Sequence, residues 1–144
     1  MKHRSILLIE DNEGDILLTK EALDNQQFVR EIDVVKNGSA AIEHLESILH
    51  HQKKKLPDII FLDINLPKMN GQEVLQHIKS HEGLKHVPVV VLTTSSSERD
   101  IQVSYQHHAN CYITKPVDVT EFMETIAKVE EFWFSIATIP SHKK

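Results

Sequence analysis

A single cysteine, Cys111, removes the first class of explanation. No disulfide can form within the chain, so a small secreted scaffold held by cross-links is excluded. Cys111 lies in "NCYIT", which reads as a buried strand where a thiol packs as a small apolar group. Positive charge is scarce in the form that nucleic acid requires. The net charge is -5, and the longest basic run is "KKK" at 53–55. A nucleic-acid-binding domain presents a basic patch instead. Long apolar runs are missing too. Nothing approaches the roughly 20 residues that cross a bilayer. The apolar start in "MKHRSILLIED" stops at Glu10, too soon for a secretion signal. No membrane or nucleic-acid partner is expected, and the cytoplasm is the expected location.

What is present fits one domain. The 144 residues are 40% hydrophobic and 26% charged, enough for one substantial core. Short runs rich in β-branched residues recur: "SILLI" (5–9), "IDVV" (32–35), "DIIFL" (58–62), "PVVVL" (88–92) and "CYIT" (111–114). Several are almost wholly apolar, the mark of parallel strands covered on both faces. Amphipathic segments lie between them. The first offers Ile16, Leu17, Leu18, Ala22 and Leu23, and the second Ala41, Ile42, Leu45, Ile48 and Leu49. The third offers Val74, Leu75 and Ile78; "SERDIQVSYQHH" is more polar, and a last helix starts near Asp118. The polar stretch "HHQKKKLP" (50–57) reads as a loop. The alternation predicts an α/β fold with right-handed crossovers. The expected form is a flavodoxin-like (βα)5 three-layer sandwich, its five parallel strands in the order 2-1-3-4-5.

In such a sheet, ligands bind beyond the carboxyl ends of the strands. Strand one ends in Glu10-Asp11, strand three in Asp63, strand four in Thr93-Thr94, and strand five in Thr114-Lys115-Pro116. The strand order therefore gathers three carboxylates, a hydroxyl and an ammonium at one crevice. Three close carboxylates coexist ionised only around a cation. Oxygen ligands without Cys or His select Mg²⁺ or a similar divalent ion. Lys115 adds a second positive charge, so an anion with several oxygens is gripped from two sides. Thr93 can donate to the same anion. This set suits phosphoryl transfer, with the Asp63 carboxylate as the central nucleophile candidate. Any one of these acidic residues alone would read as a helix cap or turn former. Their convergence favours a site.

Four motifs in order carry a family resemblance: the pair Glu10-Asp11, "FLDINLPKMNG", "VVVLTTS" and "CYITKP". The sequence resembles the receiver domains of two-component response regulators along almost its whole length. The resemblance implies that Asp63 is the phospho-acceptor. It implies a metal site of Asp11 and Asp63, with Glu10 acting through water and the Asn65 backbone carbonyl completing the set. It gives Thr93 and Lys115 to the phosphoryl group, Tyr112 the role of aromatic switch, and Lys115-Pro116 a cis bond. A sensor histidine kinase is the implied partner. "EDNEGDILLTKEAL", the long loop before strand three and the aromatic "EEFWFSI" are similar to the small response regulators paired with cyanobacterial phytochrome kinases. One departure is the Glu-first acidic pair, since many receivers carry two aspartates. Ser95 and Asn65 occupy positions at which the family varies the phosphoryl lifetime.

Residues 1–144 are thus expected to form one receiver domain, with 129–144 as an extended last helix and tail, and to act without an output domain. Signalling then runs through the surface of helix four, strand five and helix five, or by onward phosphotransfer. Rival readings fare worse. An aspartate-dependent phosphatase would want a second carboxylate two residues after the nucleophile, where Asn65 stands. A flavin carrier would want a Ser/Thr/Gly-rich loop where Glu10-Asp11 stand. A partner-binding pseudo-receiver would not need the complete acceptor set. His77 and His81 share a helical face but lack an evident third ligand, and the other histidines and "KKK" read as solvated surface. In the last helix, Val119, Phe122, Met123, Ile126 and Trp133 make one stripe. Phe132, Trp133 and Phe134 point about 100° apart on an α-helix. Phe132 and Phe134 are thus expected outside the core, as anchors of a homodimer or beneath a folded-back tail.

Overall fold

The computed structural model describes residues 4–24, 29–51 and 54–140. Five strands alternate with five helices: β1 (Arg4–Ile9), α1 (Glu13–Asp24), β2 (Val29–Val35), α2 (Gly38–His51), β3 (Ile59–Leu62), α3 (Gly71–Ser80), β4 (Val89–Thr93), α4 (Glu98–Gln106), β5 (Cys111–Thr114) and α5 (Val119–Glu131). One parallel sheet forms in the expected order β2-β1-β3-β4-β5. The central strands are apolar on both sides because both sides are covered. Every residue of β3 and β4 is buried. Alternate residues face opposite layers. Leu7, Ile9, Ile60 and Leu62 pack with α2 and α3; Ile6, Leu8, Ile59 and Phe61 pack with α1 and α5. Leu17, read above as part of an apolar face, is 59% exposed. No helix among the described residues is long and apolar enough to cross a membrane.

Helix α4 is held differently. Its only buried residue is Ser104. Gln72 of α3 donates through Nε2 to Ser104 Oγ at 2.9 Å and to the Asp100 carbonyl at 3.3 Å. Ser104 Oγ donates to that carbonyl at 2.7 Å, and Gln72 Oε1 lies 3.3 Å from His107 Nδ1. A polar latch thus does what an apolar stripe does for the other helices.

Helix α5 departs from the expected stripe at both ends. It starts as expected, with Asp118 capping the Glu121 N–H at 2.9 Å, but Val119 is exposed. Phe122, Ile126 and Glu130 form the buried line. The helix then widens into a π-turn over Phe132–Ile136, closed by the Ala137 N–H on the Phe132 carbonyl at 2.7 Å. Trp133 and Phe134 both pack against the core, and Arg4 stands 5.8 Å from the Phe134 ring centre. Phe132 alone stays out, 49% exposed, edge-on to Trp133 at 5.5 Å. The expected exposed pair is therefore one residue. Of the tail, Ile139 is buried and Ile136 exposed; residues 141–144 of the expected tail lie outside the described residues.

Glu130 is the anomaly of this layer. It is fully buried, and neither carboxylate oxygen has a hydrogen-bond partner. Burial pushes its carboxyl up to about 7.

Candidate functional site

The sheet delivers the expected residues to one edge. β1 runs into Glu10, whose N–H is held by the Val35 carbonyl at 3.0 Å. β3 runs into Asp63, whose N–H is held by the Ile9 carbonyl at 3.0 Å, so the two strand ends are locked side by side. One carboxylate oxygen from each of Glu10, Asp11 and Asp63 lies within 4.8 Å of the other two. Glu10 and Asp63 are buried and Asp11 is exposed.

The chain turns sharply after Asp63. The Asn65 N–H donates to Asp63 Oδ1 at 3.0 Å, while Asn65 itself is exposed. Lys68 and Met69 take the left-handed conformation, with φ of 48° and 79°. The start of α2 holds this turn: the Gly38 and Ser39 N–H groups donate to the Pro67 and Lys68 carbonyls at 3.2 and 2.8 Å. Gly71 opens α3 directly behind the carboxylate. A Cβ there would lie 2.4 Å from the Asp63 carbonyl oxygen, so only glycine lets α3 approach so closely.

From β5, Lys115 enters the same crevice. Its N–H donates to the Thr93 carbonyl at 2.7 Å. Its Nζ reaches Glu10 Oε1 at 2.5 Å, Asp15 Oδ2 at 2.8 Å and Asp63 Oδ2 at 3.0 Å. Burial alone would lower the ammonium's pKa, but the bonds to Asp15 and Glu10 and the charges of Glu10 and Asp63 raise it above the ordinary lysine range. Burial pushes Glu10 up to about 7; Asp63 adds to the rise and Lys115 opposes it. A crowded set of hard oxygen donors, with one carboxyl driven toward its neutral form, is a set that a divalent cation fits.

The remaining expected residues stand around this core. Thr93 is fully buried at the end of β4, and its Oγ accepts the Ser95 N–H at 3.4 Å. Tyr112 donates its hydroxyl to the Ser95 carbonyl at 2.8 Å, so the ring is turned in against the loop after β4. The expected cis bond at Lys115–Pro116 is absent: no described peptide bond is cis. Trans is the lower-energy form by about 0.5–1 kcal/mol, and the three carboxylates with the Thr93 carbonyl already draw Lys115 inward. Asp15 was not among the expected residues. Its signal was its place four residues after Asp11, in the first turn of α1, which points toward the same edge.

Features outside the crevice behave as surface. His77 and His81 both face Glu46 Oε1, at 3.0 and 3.6 Å. His81 Nδ1 also accepts the Gly83 N–H at 3.0 Å. Lys54 of "KKK" pairs with Glu31 and Asp33, while Lys53 lies outside the described residues. Burial raises the Cys111 thiol, in keeping with a packing role.

Carboxylates from two adjacent strand ends and a lysine from a third, at the edge of a 2-1-3-4-5 sheet, define a receiver. The chain belongs to the response regulator receiver domain family, which matches residues 6–127. Its relatives narrow the class. It is 39% identical over 136 residues to response regulator Rcp1 of Synechocystis sp., covering 94% of this chain and 92% of that protein. It is also 39% identical over 129 residues to the probable methanogenesis regulatory protein FilR2 of Methanothrix harundinacea, covering 89% and 82%. Among solved structures, the phosphorylated cyanobacterial phytochrome response regulator RcpA superposes with a TM-score of 0.92 at 46% identity, over 96% of this chain and 99% of that one. The Mn²⁺-bound form of Rcp1 gives 0.89 at 38% identity, with the same coverage. This is a two-component receiver related to phytochrome response regulators.

Proposed function

We propose that Asp63 accepts a phosphoryl group from the phosphohistidine of a sensor histidine kinase, a phytochrome by analogy with RcpA. The nitrogen–phosphorus bond breaks as an Asp63 oxygen bonds to phosphorus. The observation that carries this reading is the Lys115 ammonium on Asp63 Oδ2 at 3.0 Å, beside three carboxylates gathered within 4.8 Å. Asp11, Asp63 and the Asn65 carbonyl would hold Mg²⁺, with Glu10 acting through water. When bound, that ion neutralises phosphoryl charge and orients the group. Lys115 and Thr93 then hold the phosphoryl oxygens, and Tyr112 follows Thr93. The change in contacts shifts the α4–β5–α5 surface between two populations.

Residues 1–144 act as one receiver in the cytoplasm, with 129–144 as its terminal helix and tail. The near-full coverage of Rcp1 supports the single-receiver reading. Output is contact with another protein or onward phosphotransfer. A homodimer through α4–β5–α5 uses Phe132 as its anchor, since this ring is half exposed beside an apolar hollow of about 320 Å³ lined by Cys111, Val129 and Trp133.

Phosphorylation by a kinase or a small phosphodonor tests the reading. Asp63→Asn should abolish the base-labile label. Full labelling of Asp63→Asn, with loss in Asp11→Asn, would move the acceptor elsewhere.

A further inference from the structure

We infer that Asp15 is a positioning residue that holds Lys115 in the unphosphorylated protein and must be displaced before the lysine can clamp a phosphoryl group. The inference rests on Asp63 as the acceptor.

A lysine ammonium has three N–H donors. All three are engaged, by Glu10, Asp15 and Asp63. A phosphoryl oxygen that takes one of them must evict a partner. Asp63 is the group that carries the phosphoryl. The Glu10 side chain is only 2% exposed, so bulk solvent does not reach it to replace the lysine. The Asp15 side chain is 25% exposed, so solvent can take over its carboxylate. Asp15 is therefore the partner that yields.

Asp15 also stands apart in its bonding. It is not one of the three carboxylates grouped closely enough for a shared cation. Among the described residues, the hydrogen-bond partner of its carboxylate is Lys115. Its place is built: Asn12 Oδ1 accepts the Asp15 N–H at 2.9 Å and fixes the first turn of α1. A negative charge fixed there opposes the arrival of another anion and competes for the same ammonium. Asp15 thus sets how readily the crevice accepts a phosphoryl group.

The test uses the full chain at saturating Mg²⁺, with beryllofluoride as the phosphoryl mimic and acetyl phosphate as donor. Asp15→Asn keeps the shape and removes the charge. It should bind beryllofluoride about tenfold more tightly and take phosphoryl faster to a similar degree. Asp15→Glu, which keeps the charge, should stay near wild type. The gain should vanish when Asp15→Asn is made in a Lys115→Met protein, because the effect runs through that ammonium. Equal affinity in Asp15→Asn and wild type would overturn the inference. So would a gain that survives intact in Lys115→Met, since Asp15 would then act without the lysine. Beryllofluoride that binds Asp63→Asn as well as wild type would overturn the acceptor reading itself, which keeps the two failures distinct.

Discussion

Glu130 should make the protein less stable as the pH rises through neutrality, and replacing it should remove that loss. Its carboxyl is buried on the same helix line as Phe122 and Ile126, without a hydrogen bond, and burial pushes it to about 7 from an ordinary 4.5. The folded state therefore holds a proton that the unfolded chain has released. Below the ordinary value both states are protonated and nothing is lost. Between the two values the unfolded chain ionises first, and stability falls as pH rises. Above the folded value the loss is complete. Each pH unit in that window is worth about 1.4 kcal/mol, so the full loss is about 3 kcal/mol, most of it between about pH 5 and pH 8. Glu130→Gln keeps the size and abolishes the titration. Urea unfolding of both proteins across that range would measure it. The variant should gain on the wild type steadily as pH increases. Glu10 titrates in the same region, but it does so in both proteins and cancels in the difference. Parallel pH profiles would refute the reasoning, because an offset without a slope means that Glu130 is not protonated in the fold.

Three other outcomes are expected. Excess EDTA should stop phosphotransfer to Asp63 and Mg²⁺ should restore it; undiminished transfer in EDTA would remove the cation from Glu10, Asp11 and Asp63. Lys115→Ala should cost about 3 kcal/mol of stability without a divalent ion, since it strands buried carboxylates, and added Mg²⁺ should return much of it; phosphorylated Lys115→Ala should also fail to engage its partner or itself as the wild type does. Phe132→Ala with Ile136→Ala should weaken self-association in sedimentation, whereas Phe134→Ala should chiefly lower stability; a wild type that stays monomeric at high concentration, with and without beryllofluoride, would end the dimer proposal.

The strand order and the acidic crevice were legible because apolar run length marks buried parallel strands and strand ends are fixed points. Glu10, Asp11, Asp63 and Lys115 meet for that reason alone. Asp15 was harder to see, since an acid in the first turn of a helix has a common local use. The latch from Gln72 to Ser104 was invisible for a related reason: polar residues on a polar helix carry no periodic signal, and only the packing of α3 on α4 pairs them. The π-turn at Phe132 misled the aromatic reading. A rotation of about 100° per residue separates Trp133 from Phe134, yet both rings pack against the core where the helix widens into the π-turn. Leu17 and Val119 show the converse, apolar residues that the helix face turns to water.

The latch on α4 has a thermal consequence. Releasing a helix held by a leucine stripe exposes hydrocarbon, which raises heat capacity by about 0.45 cal/K/mol/Å², whereas polar exposure lowers it by about 0.26. Freeing α4 uncovers Ser104 and the Gln72 amide, together with the partly covered Ile101 and Val103. The two contributions oppose each other. The enthalpy of release therefore changes little with temperature, so the logarithm of the ratio of docked to free α4 runs nearly straight against reciprocal temperature, without the curvature a leucine stripe would give.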